Sequence, residues 1–95
     1  MQRALFMTTM VWTSVGLSNV RVAIEILSVK FPNCVVDVER VHPSRFVRFY
    51  LCERQYRYSK MLELDADTFA SRRLSTRDIK CLLDHAMASA TSVAG

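Results

Sequence analysis

Between Arg45 and Lys60 the chain concentrates side chains suited to binding phosphate: Arg45, Arg48, Arg54, Arg57 and Lys60 stand against a single acid, Glu53. This +4 equals the net charge of the whole chain, because the other eight bases and eight acids cancel. Tyr50, Tyr56 and Tyr58 are interleaved with these cations. Guanidinium groups make charge-assisted, bidentate hydrogen bonds to phosphate, and aromatic rings offer faces on which unpaired bases stack, so the combination suits RNA. An acidic protein would engage the same arginines, and a solvated sheet face would carry them equally well. A second basic doublet, Arg72-Arg73, directly precedes a helix-start signal, where free backbone N–H groups also favour anions. The candidate nucleic-acid-binding set is therefore Arg45, Arg48, Arg54, Arg57, Lys60, Arg72 and Arg73.

Catalytic chemistry finds little footing. A nucleophile needs an adjacent base held by a third group. His42 falls in a Pro-containing turn and His85 on the polar side of a helix, so both read as solvated residues. Asp65 and Asp67 read as turn residues ahead of a helix. Gly16 and Gly95 are the only glycines, which leaves no glycine-rich phosphate loop. Cys34, Cys52 and Cys81 show no CxxC spacing, are odd in number and are not spaced from the histidines as zinc ligands are. They read as buried, inert thiols in a reducing compartment. No enzyme activity, metal, cofactor or small-molecule substrate is expected.

The elements that must position the cations follow from the apolar pattern. Ninety-five residues, 51% apolar with two glycines and two prolines, fit one packed domain over 1–95, with 88–95 expected to fray. The longest weakly charged run, Ala4 to Val20, is broken by hydroxyl residues and an asparagine, so no membrane span is expected. Met7–Thr13 has the Met, Thr, Val and Trp content of a strand, and Gly16 allows a turn after it. Ser18 is the expected N-cap of a helix to about Lys30, closed by Pro32. Its polar stripe is only Arg21, Glu25 and Ser28, so a second partner is expected to cover the Val-rich flank.

Three strands follow, Cys34–Val41, Phe46–Cys52 and Tyr56–Leu64, parted by His42-Pro43-Ser44 and Glu53-Arg54-Gln55. Period-two alternation places Val36 and Val38 on one face and Asp37 and Glu39 on the other. It likewise separates Val47, Phe49 and Leu51 from Arg48, Tyr50 and Cys52, and Leu62 and Leu64 from Met61 and Glu63. The short link between the last two strands predicts an antiparallel hairpin. After the polar connection Asp65–Leu74, anchored by Phe69, Ser75-Thr76-Arg77-Asp78 is a capping box that starts a helix carrying Ile79, Leu82, Leu83 and Ala86.

This order resembles the small thioredoxin-like family shared by several mitochondrial ribosomal proteins and one accessory subunit of respiratory complex I. The matching features are the long helix ending Phe31-Pro32-Asn33, the strand opening Asn33-Cys34-Val35-Val36, and the turn at Pro43 leading into the hairpin Arg45 to Leu64. From Asn33 onward the chain looks most like members of the mitochondrial large ribosomal subunit. The resemblance implies an α+β, thioredoxin-like β-α-β-β-β-α domain with a mixed four-stranded sheet, the first two strands parallel through a right-handed crossover. It implies a non-catalytic structural constituent of the mitochondrial ribosome's large subunit, in the matrix, contacting ribosomal RNA and neighbouring mitochondrial ribosomal proteins. The alternative is the complex I accessory subunit. Thioredoxin enzymes carry paired cysteines between the first strand and helix; here that junction is Thr13-Ser14-Val15-Gly16-Leu17-Ser18, so redox activity does not carry over. The acid-poor start, with Arg3 and Arg21 ahead of the first acid, Glu25, agrees with an uncleaved mitochondrial address that doubles as the first structural element.

Overall fold

A computed structural model describes residues 14–40, 45–53 and 58–94. Helix α1 spans Ser14–Lys30 and buries Gly16, Asn19, Val20, Ala23, Ile24 and Leu27, a stripe at three- and four-residue spacing. The helix therefore starts one turn before the Ser18 cap expected from sequence, and Gly16 lies on its buried stripe instead of in a turn. Glycine costs a helix about 1 kcal/mol relative to alanine, an amount that burying the rest of the stripe readily offsets. Arg21 and Glu25 are exposed as expected. The helix ends where Pro32 cannot continue it, with Phe31 N donating to the Leu27 carbonyl at 2.8 Å and Cys34 N to the Phe31 carbonyl at 3.0 Å.

Strands β1 (Cys34–Glu39), β2 (Phe46–Glu53) and β3 (Tyr58–Asp65) form an antiparallel meander. Its register follows the apolar pattern: Val47 lies opposite Leu64, and Phe49 faces Val38 on one side and Leu62 on the other. These side chains point to the helix-covered face and are buried. Asp65 then caps α2 (Ala66–Ser71), its carboxylate accepting from Thr68 N at 3.1 Å and from Thr68 Oγ1 at 2.9 Å. The polar connection thus contains a short helix, and its anchor Phe69 is fully buried 6.0 Å, centroid to centroid, from the Phe49 ring. Helix α3 spans Thr76–Ala88 and starts at the expected cap, Ser75 Oγ accepting from Asp78 N at 3.0 Å. Ile79, Leu83 and Ala86 face the core.

The chain is thus α+β, with three helices on one face of an antiparallel sheet. Residues 91–94 differ from the frayed tail expected of them: β4 (Thr91–Ala94) pairs with β3 from Met61↔Thr91 to Tyr58↔Ala94, giving the order β1-β2-β3-β4. The small, polar tail reads as loose in sequence, but the open edge of β3 supplies backbone partners that no composition reveals. All pairings among the described residues are antiparallel. The strand expected at Met7–Thr13, and with it the parallel pairing of a mixed sheet, lies outside the described residues.

Candidate nucleic-acid interface

The cations that are neighbours along the hairpin separate in space. Arg45 is exposed at the end of β2 where α2 begins, its carbonyl accepting from Ala66 N at 2.8 Å. Lys60 is half-buried toward the other end of β3, opposite Leu51. Six residues of strand at about 3.3 Å each put roughly 20 Å between these positions. Arg54, Arg57 and Tyr56 lie outside the described residues, as does His42.

Arg48 occupies the sheet face that the helices leave open, but it is not a free cation. The register sets it opposite Glu63, and its Nε donates to Glu63 Oε2 at 2.9 Å. Hydrogen bonding to that carboxylate pushes the guanidinium pKa further up, so the charge is permanent and locally matched. Next to it, Tyr50 Oη donates to Glu39 Oε1 at 2.7 Å. Burial, followed by the hydrogen bond to Glu39, pushes the Tyr50 phenol up from its usual value. Asp37, Glu39 and Glu63 alternate with core positions and share this face with Arg48, so acids outnumber bases around it. Arg48 and Tyr50 share one face as the alternation predicts, and there Arg48 is paired across the strands with Glu63.

The doublet Arg72-Arg73 is placed differently. Both side chains are exposed on the connector between α2 and α3, and that connector is held from beneath by one buried residue. Asn19, 1% exposed on α1, donates through Nδ2 to the Phe69 carbonyl at 2.7 Å and to the Arg72 carbonyl at 2.9 Å. Its Oδ1 accepts from Leu74 N at 3.0 Å. These contacts satisfy two carbonyls around the end of α2 and the amide that follows the doublet. The two arginines thus project from fixed backbone, with Arg77 and Lys80 exposed further along α3. Asn19 was not singled out by sequence; the available signal was a single amide residue on the apolar stripe of α1, where a buried polar group requires partners.

The remaining candidates for chemistry stay apart. The thiols are not fully buried as expected: Cys81, on the outer side of α3, is exposed and Cys34 and Cys52 are half-buried, and the Cys34 thiol is pushed up by burial, then by Glu53 and Cys52. That direction disfavours the thiolate. His85 is exposed in the last turn of α3, on the rim of a cavity of about 350 Å³ between α2, α3 and the edge of β3. Among the described residues no cluster of His, Cys, Asp or Glu is suited to a metal, and no helix is long and apolar enough to cross a membrane. No protein-family model, curated protein or solved structure matches the chain.

Proposed function

We propose that the chain is a non-catalytic structural subunit of a ribonucleoprotein particle, the large subunit of the mitochondrial ribosome, and that it docks on RNA phosphates through Arg72 and Arg73. The observation that carries this reading is the Asn19 clamp, which fixes the backbone of two adjacent, exposed arginines. Cations held in place bind phosphate with less ordering cost than cations on a loose loop. Contacts of this type position a protein and read little sequence. Arg45 and Lys60 add dispersed phosphate contacts, Arg54 and Arg57 remain candidates from sequence, and the acidic open face suits a neighbouring protein.

The thioredoxin-like form of this reading requires residues 7–13 to lie along the outer edge of β1, parallel to it through α1, because β2 occupies the other edge of β1. The functional test is incorporation into the particle. Replacing Arg72 and Arg73 by Ala should weaken association and lower its salt dependence by roughly 0.7–0.9 in log–log slope per lost contact. The fold should stay intact, since the clamp uses backbone atoms of the connector. An unchanged slope, or co-sedimentation with a respiratory complex identified by mass spectrometry, overturns the proposal.

A further inference from the structure

Strand pairing on the outer side of β3 stops at Met61↔Thr91, so among the described residues Leu62 to Asp65 have no strand partner there. The cavity between α2 and α3 opens on this same stretch. Phe46, Met61, Leu64, Phe69, Leu82 and Ala86 give it an apolar lining, and Phe46 remains 42% exposed beside it. Its volume of about 350 Å³ falls within the range of roughly 300–1,000 Å³ typical of binding pockets. Its charged lining residues are Glu63 and Asp65, without a lysine or arginine, on a chain that carries 13 of those bases. His85 is the remaining titratable lining group.

We propose that this is a docking site for a short extended segment of a partner protein, one that adds to the open edge of β3, places an apolar side chain in the cavity and sets a Lys or Arg against Glu63. An open strand edge supplies main-chain hydrogen bonds and a neighbouring pocket supplies side-chain selection, the two parts of recognition by strand addition. Charge complementarity selects a cationic segment over an acidic one. Glu63 already holds Arg48 through Oε2, leaving Oε1 for the incoming cation. Asp65 remains committed to capping α2. The α3 part of the lining, Leu82 to Ser89, lies toward the C-terminal end of that helix, and neither Arg72 nor Arg73 lines the cavity, so their exposed side chains take no part in it.

The test titrates the peptide acetyl-Lys-Val-Leu-Arg-Val-amide, and its counterpart with both cations replaced by Glu, into the isotope-labelled full chain while amide resonances are followed. The cationic peptide should bind at roughly sub-millimolar concentration, shift the amides of Leu62 to Asp65, and bind about tenfold more tightly than the acidic one. Ala86→Trp, which fills the cavity from α3, should abolish binding. Glu63→Lys, at an exposed position that does not depend on repacking, should weaken it about tenfold. The Arg72→Ala/Arg73→Ala variant should bind the peptide normally, which separates failure here from failure of the RNA reading. Equal affinity for the two peptides, no binding at millimolar concentration, shifts confined to other surfaces, or unchanged affinity in Glu63→Lys each overturns the proposal.

Discussion

Asn19→Ala removes every hydrogen bond that the Asn19 side chain makes to the α2–α3 connector, and the loss can be estimated from what is left behind. Leu74 N–H and the Phe69 carbonyl sit in buried surroundings, whereas the Arg72 carbonyl lies near enough to the surface for water to replace its partner. A buried polar group stripped of its partner costs about 1–3 kcal/mol, so the two enclosed groups together cost about 2–6 kcal/mol. A domain of this length has roughly 5–14 kcal/mol of total stability. At about 4–8 °C per kcal/mol, a central loss of about 4 kcal/mol lowers Tm by roughly 16–32 °C. Urea denaturation of the wild type and variant supplies the free energies, and amide exchange at Leu74 reports the connector directly. The variant should lose protection at Leu74 more than in β2. Asn19→Asp adds a check of sign: a buried carboxylate facing two carbonyl oxygens has a raised folded pKa, so that variant should be most stable at low pH and weaken as pH rises. A loss below about 1 kcal/mol in Asn19→Ala, with an unchanged m-value, would refute the clamp.

Three further outcomes follow from local chemistry. The Tyr50 phenol has a folded pKa above its ordinary value of 10.0, so its stabilising contribution is complete below that value and fades as pH rises through the folded pKa; Tyr50→Phe should cost about 1 kcal/mol at neutral pH and flatten the alkaline loss seen in urea midpoints. Ellman's reagent should modify exposed Cys81 first and Cys34 last, and a fast-reacting Cys34 would contradict the burial that disfavours its thiolate. Arg48→Ala should change stability by less than about 1 kcal/mol, as expected of a surface pair, whereas Phe49→Ala, which empties the contact with Phe69, should cost about 3–5 kcal/mol by the same denaturation assay.

The hydrophobic period carries much of this fold. The faces of β1, β2 and β3 and the cap of α3 are local properties, written in alternation and in Ser75-Thr76-Arg77-Asp78, and the structure repeats them. Register is less local. A three-residue link over 53–55 would set Cys52 against Tyr56 and therefore Arg48 against Lys60. The observed pairing, Glu53 with Tyr58, moves Glu63 opposite Arg48 and Leu62 opposite Phe49. Apolar matching requires that shift, because an odd slip turns one strand's core residues outward. The clamp was less legible still, since Asn19 meets connector positions some fifty residues later that helical periodicity does not link to it.

Charge adjacent in sequence becomes a binding field only when folding keeps it adjacent, and here the two basic clusters part ways. Ions screen exposed charges over about 8 Å at physiological strength. Arg45 and Lys60, about 20 Å apart along the sheet, therefore act on a ligand as separate cations, and Arg48 between them is matched by Glu63. Arg72 and Arg73 are adjacent residues on backbone held by Asn19, with both side chains exposed. A phosphate chain approaching the connector meets exposed arginines on adjacent residues, whereas one approaching the open sheet face meets Asp37, Glu39 and Glu63 around a single arginine. The hairpin that dominates the sequence charge is thus, over its described open face, the less cationic of the two surfaces, which is why the proposed phosphate contact is placed on the doublet beside α3.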